Sequence, residues 1–100
     1  MFRSESLRRA VASLECMGPG CGAPAPTQAA HRNEGKGRSL KQSDALLAAL
    51  CPECHRMLEQ GVGLTRDERR QLWNESAIRT YQALIERGLL EVTHASVQAV

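Results

Sequence analysis

The sequence predicts an α+β domain with helices at both ends and a short β segment between them, and three features lead there. Helical apolar patterns open and close the chain. Between them lie two brief runs, "TQAAHRN" and "DALLAALC", set among Gly- and Pro-rich turns that leave no room for long elements. Two cysteine pairs, Cys16 with Cys21 and Cys51 with Cys54, bracket those runs and supply the means to clasp them together.

A chain of 100 residues makes one domain, here residues 1–100. Its core is thin, because Phe2, Trp73 and Tyr81 are the only aromatic side chains. Domains of this size commonly need a staple, either disulfides or a metal. The opening "MFRSESLRRAVASLE" has no apolar segment of signal-peptide length, and no run is long enough to span a membrane. These features place the chain in a reducing cytoplasm, where structural disulfides are rare and a metal is the better staple.

The elements follow in order. Residues 1–15 form an N-terminal helix: Ser4 caps it, and Leu7, Val11 and Leu14 recur at helical spacing. "MGPGCGAPAP" is a turn-rich loop with a cysteine on each side of its first turn. "TQAAHRN" reads as a short strand, and "EGKGRSLKQSD" as the loop after it. "DALLAALC" fits either a strand or a short helix, which periodicity does not separate. "PECHRMLEQG" starts a helix with an early Pro52 and ends at Gly61. Residues 65–88 give the strongest signal, a long helix with Thr65 and Glu68 as a capping box and Gly88 as its stop. Its core face is Leu72, Trp73, Ser76, Ala77, Thr80, Tyr81, Leu84 and Ile85. Residues 89–100 are a tail that adds a strand and then frays.

The pentapeptide "CPECH" at Cys51–His55 has several chemical readings. It matches the attachment pattern for c-type haem. Its cysteines are also half of a four-thiolate zinc site. Cytoplasmic residence and the lack of any supporting haem pocket argue for zinc and no haem. Cys16, Cys21, Cys51 and Cys54 then hold structural zinc, each short loop between paired ligands being already nearly closed. That leaves His55 on the helix and His31 on the strand, with His94 read as a surface residue. Strand, loop, strand and helix, with a histidine on each arm, give a ββα-metal hairpin. In that arrangement one histidine activates water as a general base and the other holds a divalent cation against a phosphate. Residues 16–61 form this core.

The run of motifs, "AH" at Ala30–His31, "K-x-x-D" at Lys41–Asp44, "C-x-x-C-H" at Cys51–His55 and "RT" at Arg79–Thr80, resembles the HNH endonuclease superfamily in its zinc-stapled form. More closely it is similar to the YbcO-like family of small prophage nucleases. The resemblance covers most of the chain. It implies structural zinc on the four cysteines, His31 as general base and His55 as ligand of a catalytic Mg2+ or Mn2+. It also implies Asp44 in the catalytic centre, on that cation or just behind it. Two departures stand out. Many HNH enzymes place Asp or His before the base, where this chain has Ala30, and the middle Asn is absent from "LLAAL".

Net charge is only +2, but the loop after the first strand is basic. Arg32, Lys36, Arg38 and Lys41 flank the expected base, where they would meet the phosphates of DNA. Phosphate contacts position a nucleic acid without reading it, so little sequence specificity is expected. Whether the substrate is single-stranded, double-stranded or branched DNA, or RNA, stays open. The expected function is a metal-dependent endonuclease. The alternatives are a zinc-stapled nucleic-acid-binding module without catalysis and a zinc-stabilised adaptor for a protein partner. An exposed apolar stripe on the long helix would mark the adaptor.

Overall fold

The computed structural model describes residues 2–32, 43–61 and 63–91. Helix α1 spans Glu5–Ala12, strand β1 Gln28–Ala30, strand β2 Ala48–Leu50, helix α2 Pro52–Gln60 and helix α3 Arg66–Glu86. The two strands pair antiparallel, with Gln28 opposite Leu50, Ala29 opposite Ala49 and Ala30 opposite Ala48. This is a small α+β domain, with two antiparallel strands followed directly by a helix in its middle.

Local chemistry sets most of the boundaries. Ser4 caps α1 by accepting from the N–H of Leu7. The helix stops at Ala12, earlier than the apolar pattern suggests, because the following backbone turns to other partners. Ala12 C=O accepts from Thr27 N–H, and Leu14 C=O from Thr27 Oγ1. Thr27 thereby ties the end of α1 to the start of β1. Cys51 caps α2, Pro52 fills a first-turn position where its missing N–H costs nothing, and Gly61 ends the helix in the left-handed region. A side chain at Gly61 would collide with Arg69, which reaches across to the Glu59 carbonyl. Thr65 and Glu68 form the capping box of α3.

"DALLAALC" resolves into a turn and a strand, with only Ala48–Leu50 extended. The alanines of β1 and β2 let helices approach both faces of the hairpin closely. Ala29 and Ala49 face a cluster with Val11, Leu14, Leu47 and Leu84. Ala30, Ala48 and Leu50 face a second cluster with Leu58, Trp73 and Ala77. Helix α1 therefore packs on one side of the hairpin and α2 on the other, with α3 reaching both clusters.

The free edge of β2 is satisfied by groups outside the sheet, as buried backbone requires. Ala49 N–H donates to Thr80 Oγ1 at 3.0 Å, and its carbonyl accepts from Met17 N–H at 2.8 Å. Tyr81 Oη accepts from Leu47 N–H and donates to the Ala45 carbonyl. Arg79 donates twice to the Met17 carbonyl. The "RT" pair of α3 is thus the clasp between the long helix, β2 and the loop that carries Cys16.

Along α3 the buried residues are Trp73, Ser76, Ala77, Thr80, Ala83 and Leu84. Ile85, expected in the core face, is instead 55% exposed, because the buried arc is centred one step further round the helix and takes in Ala83. Leu72 and Tyr81 lie at its margins, half-buried. Beyond Gly88 the chain turns back, Leu89 and Leu90 N–H both reaching the Leu84 carbonyl. The remainder of the tail, residues 92–100 with His94, lies outside the described residues, so the strand expected there is not addressed. No helix among the described residues is long and apolar enough to cross a membrane.

Candidate functional site

The four cysteines converge. Cys16 and Cys21 come from the turn-rich loop after α1, Cys51 and Cys54 from the end of β2 and the first turn of α2, and their Sγ atoms lie within 4.8 Å of one another. Four thiolates around one zinc at about 2.3 Å sit about 3.8 Å apart, and Cys21 and Cys51 Sγ are 3.9 Å apart. All four are free thiols. The Cys16 sulfur accepts N–H groups from Gly18 and Cys51 at 3.3 Å, and the Cys51 sulfur accepts from Cys54 at 3.5 Å. Such backbone donors favour thiolate ligands.

The electrostatics of the thiols are divided. The N–H of Cys54 draws the Cys51 thiol down, against burial. Burial pushes the Cys16 and Cys54 thiols up, and neighbouring sulfurs add to this at Cys54. Four crowded sulfurs become thiolates together only around a cation, so the donor set fits a structural metal such as zinc. Gly18 is required by this packing. A Cβ there would stand 2.8 Å from the Cys54 sulfur and 3.3 Å from that of Cys16.

His31 follows β1 directly, and its ring turns toward α1. Its Nε2 lies 2.8 Å from Oδ1 of Asp44. Asp44 is wholly buried, and its Oδ2 accepts from the Ser4 N–H at 2.7 Å and from the Arg8 guanidinium. Arg3 adds a longer contact of 4.0 Å to Oδ1. Burial alone would raise the Asp44 carboxyl, but the Ser4 N–H, the His31 ring and Arg8 together outweigh it and hold it at about 2. A carboxylate only accepts, so Nε2 of His31 carries the proton and Nδ1 bears the lone pair of the neutral ring. Asp44 thus stands behind His31, with both oxygens engaged by protein groups.

His55 lies on the other side of the hairpin, in the first turn of α2. Its Nδ1 is 2.7 Å from Gln28 Oε1, and its Nε2 is 3.3 Å from Glu59 Oε2. The structure therefore brings His31 together with Asp44, and His55 together with Gln28 and Glu59. Among the described residues no hydrogen bond joins the two groups, and the four cysteines are the only cluster of three or more ligating side chains. Sequence reasoning did not single out Gln28 or Glu59. The available signal was the i, i+4 spacing of His55 and Glu59, which puts both on one face of a helix.

Of the basic residues expected at phosphates, Arg32 is described. Its guanidinium sits 5.5 Å over the Trp73 ring and donates to Asn74 Oδ1 at 2.6 Å, which secures the chain just after β1 to α3. Lys36, Arg38 and Lys41 lie outside the described residues. Ala30, where many HNH enzymes have a ligand, is buried at the end of β1.

Comparison with protein-family models, with curated proteins and with solved structures finds no match for this chain.

Proposed function

We propose that this protein is a metal-dependent endonuclease of the HNH, ββα-metal type, hydrolysing DNA phosphodiester bonds with little sequence specificity. The observation that carries the reading is His31, directly after β1 in an antiparallel strand pair followed by a helix, with its Nε2 held by the buried carboxylate of Asp44. A histidine fixed in this way presents Nδ1 as a base. His31 would take a proton from the attacking water, while Asp44 stabilises the imidazolium that forms and Arg8 keeps Asp44 ionised. His55 would hold the divalent cation, Mg2+ or Mn2+. When bound, such a cation supplies charge stabilisation to the scissile phosphate and its leaving oxygen. The four-cysteine site fixes the start of α2, and with it the position of His55, and takes no part in the chemistry. Arg32, Lys36, Arg38 and Lys41 would flank the DNA backbone.

The test is a cleavage assay on single-stranded, double-stranded and branched DNA with added Mg2+ or Mn2+, and with EDTA as control. Cleavage that His31→Ala and His55→Ala each abolish, with folding retained, supports the assignment. Activity surviving both substitutions would sink it.

A second reading, the zinc-stabilised adaptor, is favoured by one observation. Ile78 and Ile85 on α3 and Leu46 beside it are each at least half exposed, and Leu89 nearly so. With Asn74, Ala77 and Tyr81, Leu46 and Ile78 line an open apolar groove. A chain that neither cleaves nor binds DNA under any cation would move the weight to this face.

A further inference from the structure

An open groove lies between α3 and the turn that follows Asp44. Leu46, Asn74, Ala77, Ile78 and Tyr81 line it, and its walls are mostly apolar. Leu46 and Ile78 are its exposed walls, at 50% and 65% exposure. The Tyr81 hydroxyl is engaged by the Leu47 N–H and the Ala45 carbonyl, so its ring is held in place. The cavity volume of about 360 Å³ is at the small end for ligand pockets, which run from ~300 to ~1,000 Å³. That is room for one planar ring system, and it is too short for the successive anchors of a docked helix. Ile85 and Leu89, exposed further along, do not line it.

Asn74 gives the groove a polar end. Its Oδ1 accepts from the Arg32 guanidinium at 2.6 Å. A guanidinium only donates, so the orientation of this amide is fixed. Its Nδ2 keeps two donors that have no partner among the described residues. Arg32 is itself held over the buried Trp73 ring, so its charge stands preorganised beside Asn74. Arg32 directly follows His31 and Leu46 lies two residues after Asp44, so the groove borders the proposed base on its α3 side. An unstacked base and its phosphate match these parts. Apolar walls sandwich the ring, amide donors meet the acceptors on its edge, and a fixed guanidinium meets the phosphate. An apolar protein segment would use the walls and leave the amide and the charge unmatched.

We propose that this groove binds one unstacked base of a DNA strand, with Arg32 on the adjoining phosphate, so that the preferred substrate carries unpaired bases. The proposal rests on the nuclease reading for what is done to the bound strand, while the groove stands on its own geometry. In a paired duplex a base reaches such a slot only after unpairing and unstacking, which weakens binding. A base in single-stranded or branched DNA bears no such cost. Discrimination then comes from base pairing and not from base identity, since every base offers a face to stack and an acceptor on its edge.

The test measures binding of fluorescently labelled oligonucleotides to the full zinc-loaded chain, without added Mg2+ or Mn2+. A DNA single strand and a duplex of the same length are compared at one ionic strength. Parent, Leu46→Ser, Ile78→Ser and their double variant are measured, with Ile85→Ser as a control outside the groove and circular dichroism of each as a check on folding. The single strand is expected to bind about tenfold or more tighter than the duplex. Each groove variant should lose about fivefold of that single-strand affinity, and Ile85→Ser should not change it. Tyr81 ring signals should shift when the single strand is added. Equal affinity for the two forms, or unchanged single-strand affinity in a folded double variant, would overturn the proposal. So would binding of an RNA strand to the exclusion of DNA, or sedimentation showing the groove closed by a second copy of the chain. Groove-dependent single-strand binding without cleavage under Mg2+ or Mn2+ would uphold the groove and reject the nuclease. Cleavage of both forms at equal rates, indifferent to the groove variants, would do the reverse.

Discussion

Asp44 Oδ1 and His31 Nε2 are 2.8 Å apart, although the two residues are 13 positions apart in the chain. Asp44 is fully buried and bound to α1 through Ser4 and Arg8. The contact therefore joins three segments: the N-terminal helix, the end of β1 and the turn before β2. It makes α1 part of the support of the proposed base.

Asp44→Asn is the substitution that probes it. Removing the carboxylate leaves Arg8 and the Ser4 N–H without their buried anion. Breaking a buried pair costs several kcal/mol, and because Arg8 is about a third exposed, on the order of 2 kcal/mol is expected here. Urea unfolding measures this. Cleavage, where present, should fall at least tenfold as well, with a change in the His31 ring nitrogen shifts. A stability loss without that spectroscopic change would restrict Asp44 to holding the fold.

The same carboxyl sets an acid limit. Its folded value is about 2 against an ordinary 3.8, so the unfolded chain takes up the proton first as pH falls. The stabilisation is fully present above the ordinary value and is lost as pH drops through about 2. A shift of this size corresponds to roughly 2 kcal/mol. Glu15, held at about 2 by Arg87, releases its partner in the same window. Stability measured between pH 5 and about 2 should fall steeply, and Asp44→Asn should flatten the fall.

Metal removal should unfold the domain. Structural zinc contributes on the order of 10 kcal/mol, more than a thin core of this size supplies alone. Chelation should abolish the helical circular dichroism, and metal analysis of the purified chain should give one zinc per molecule. Gly18→Ala is expected to lower zinc affinity about tenfold or more, since its methyl would press on two of the sulfurs. Unchanged zinc retention in that variant would contradict the packing described.

Thr80→Val tests the clasp on β2. The swap keeps shape but removes the acceptor for Ala49 N–H, leaving a buried donor unpaired. A loss of about 1–3 kcal/mol is expected in urea unfolding. Thr80→Ser, which keeps the hydroxyl, should recover most of it.

The sequence by itself determined where the helices begin, the end of α2 and the cysteines that come together. Ser4, Thr65 with Glu68, Pro52 and Gly61 act on backbone within a few residues, so their effect is local and readable. The two cysteine pairs have spacing that suits a shared metal, and their sulfurs do meet. The length of the strands was not readable, because an alanine-rich run has no period that favours strand over helix. Its extended form depends on Thr80, Tyr81 and Met17, far away along the chain. The partners of the histidines were not readable either. Asp44 reaches His31 because burial and Arg8 draw it inward, and Glu59 reaches His55 because α2 carries both on one face. Those relations depend on distances between side chains, and only the packing of α1 and α2 on opposite sides of the hairpin decides them.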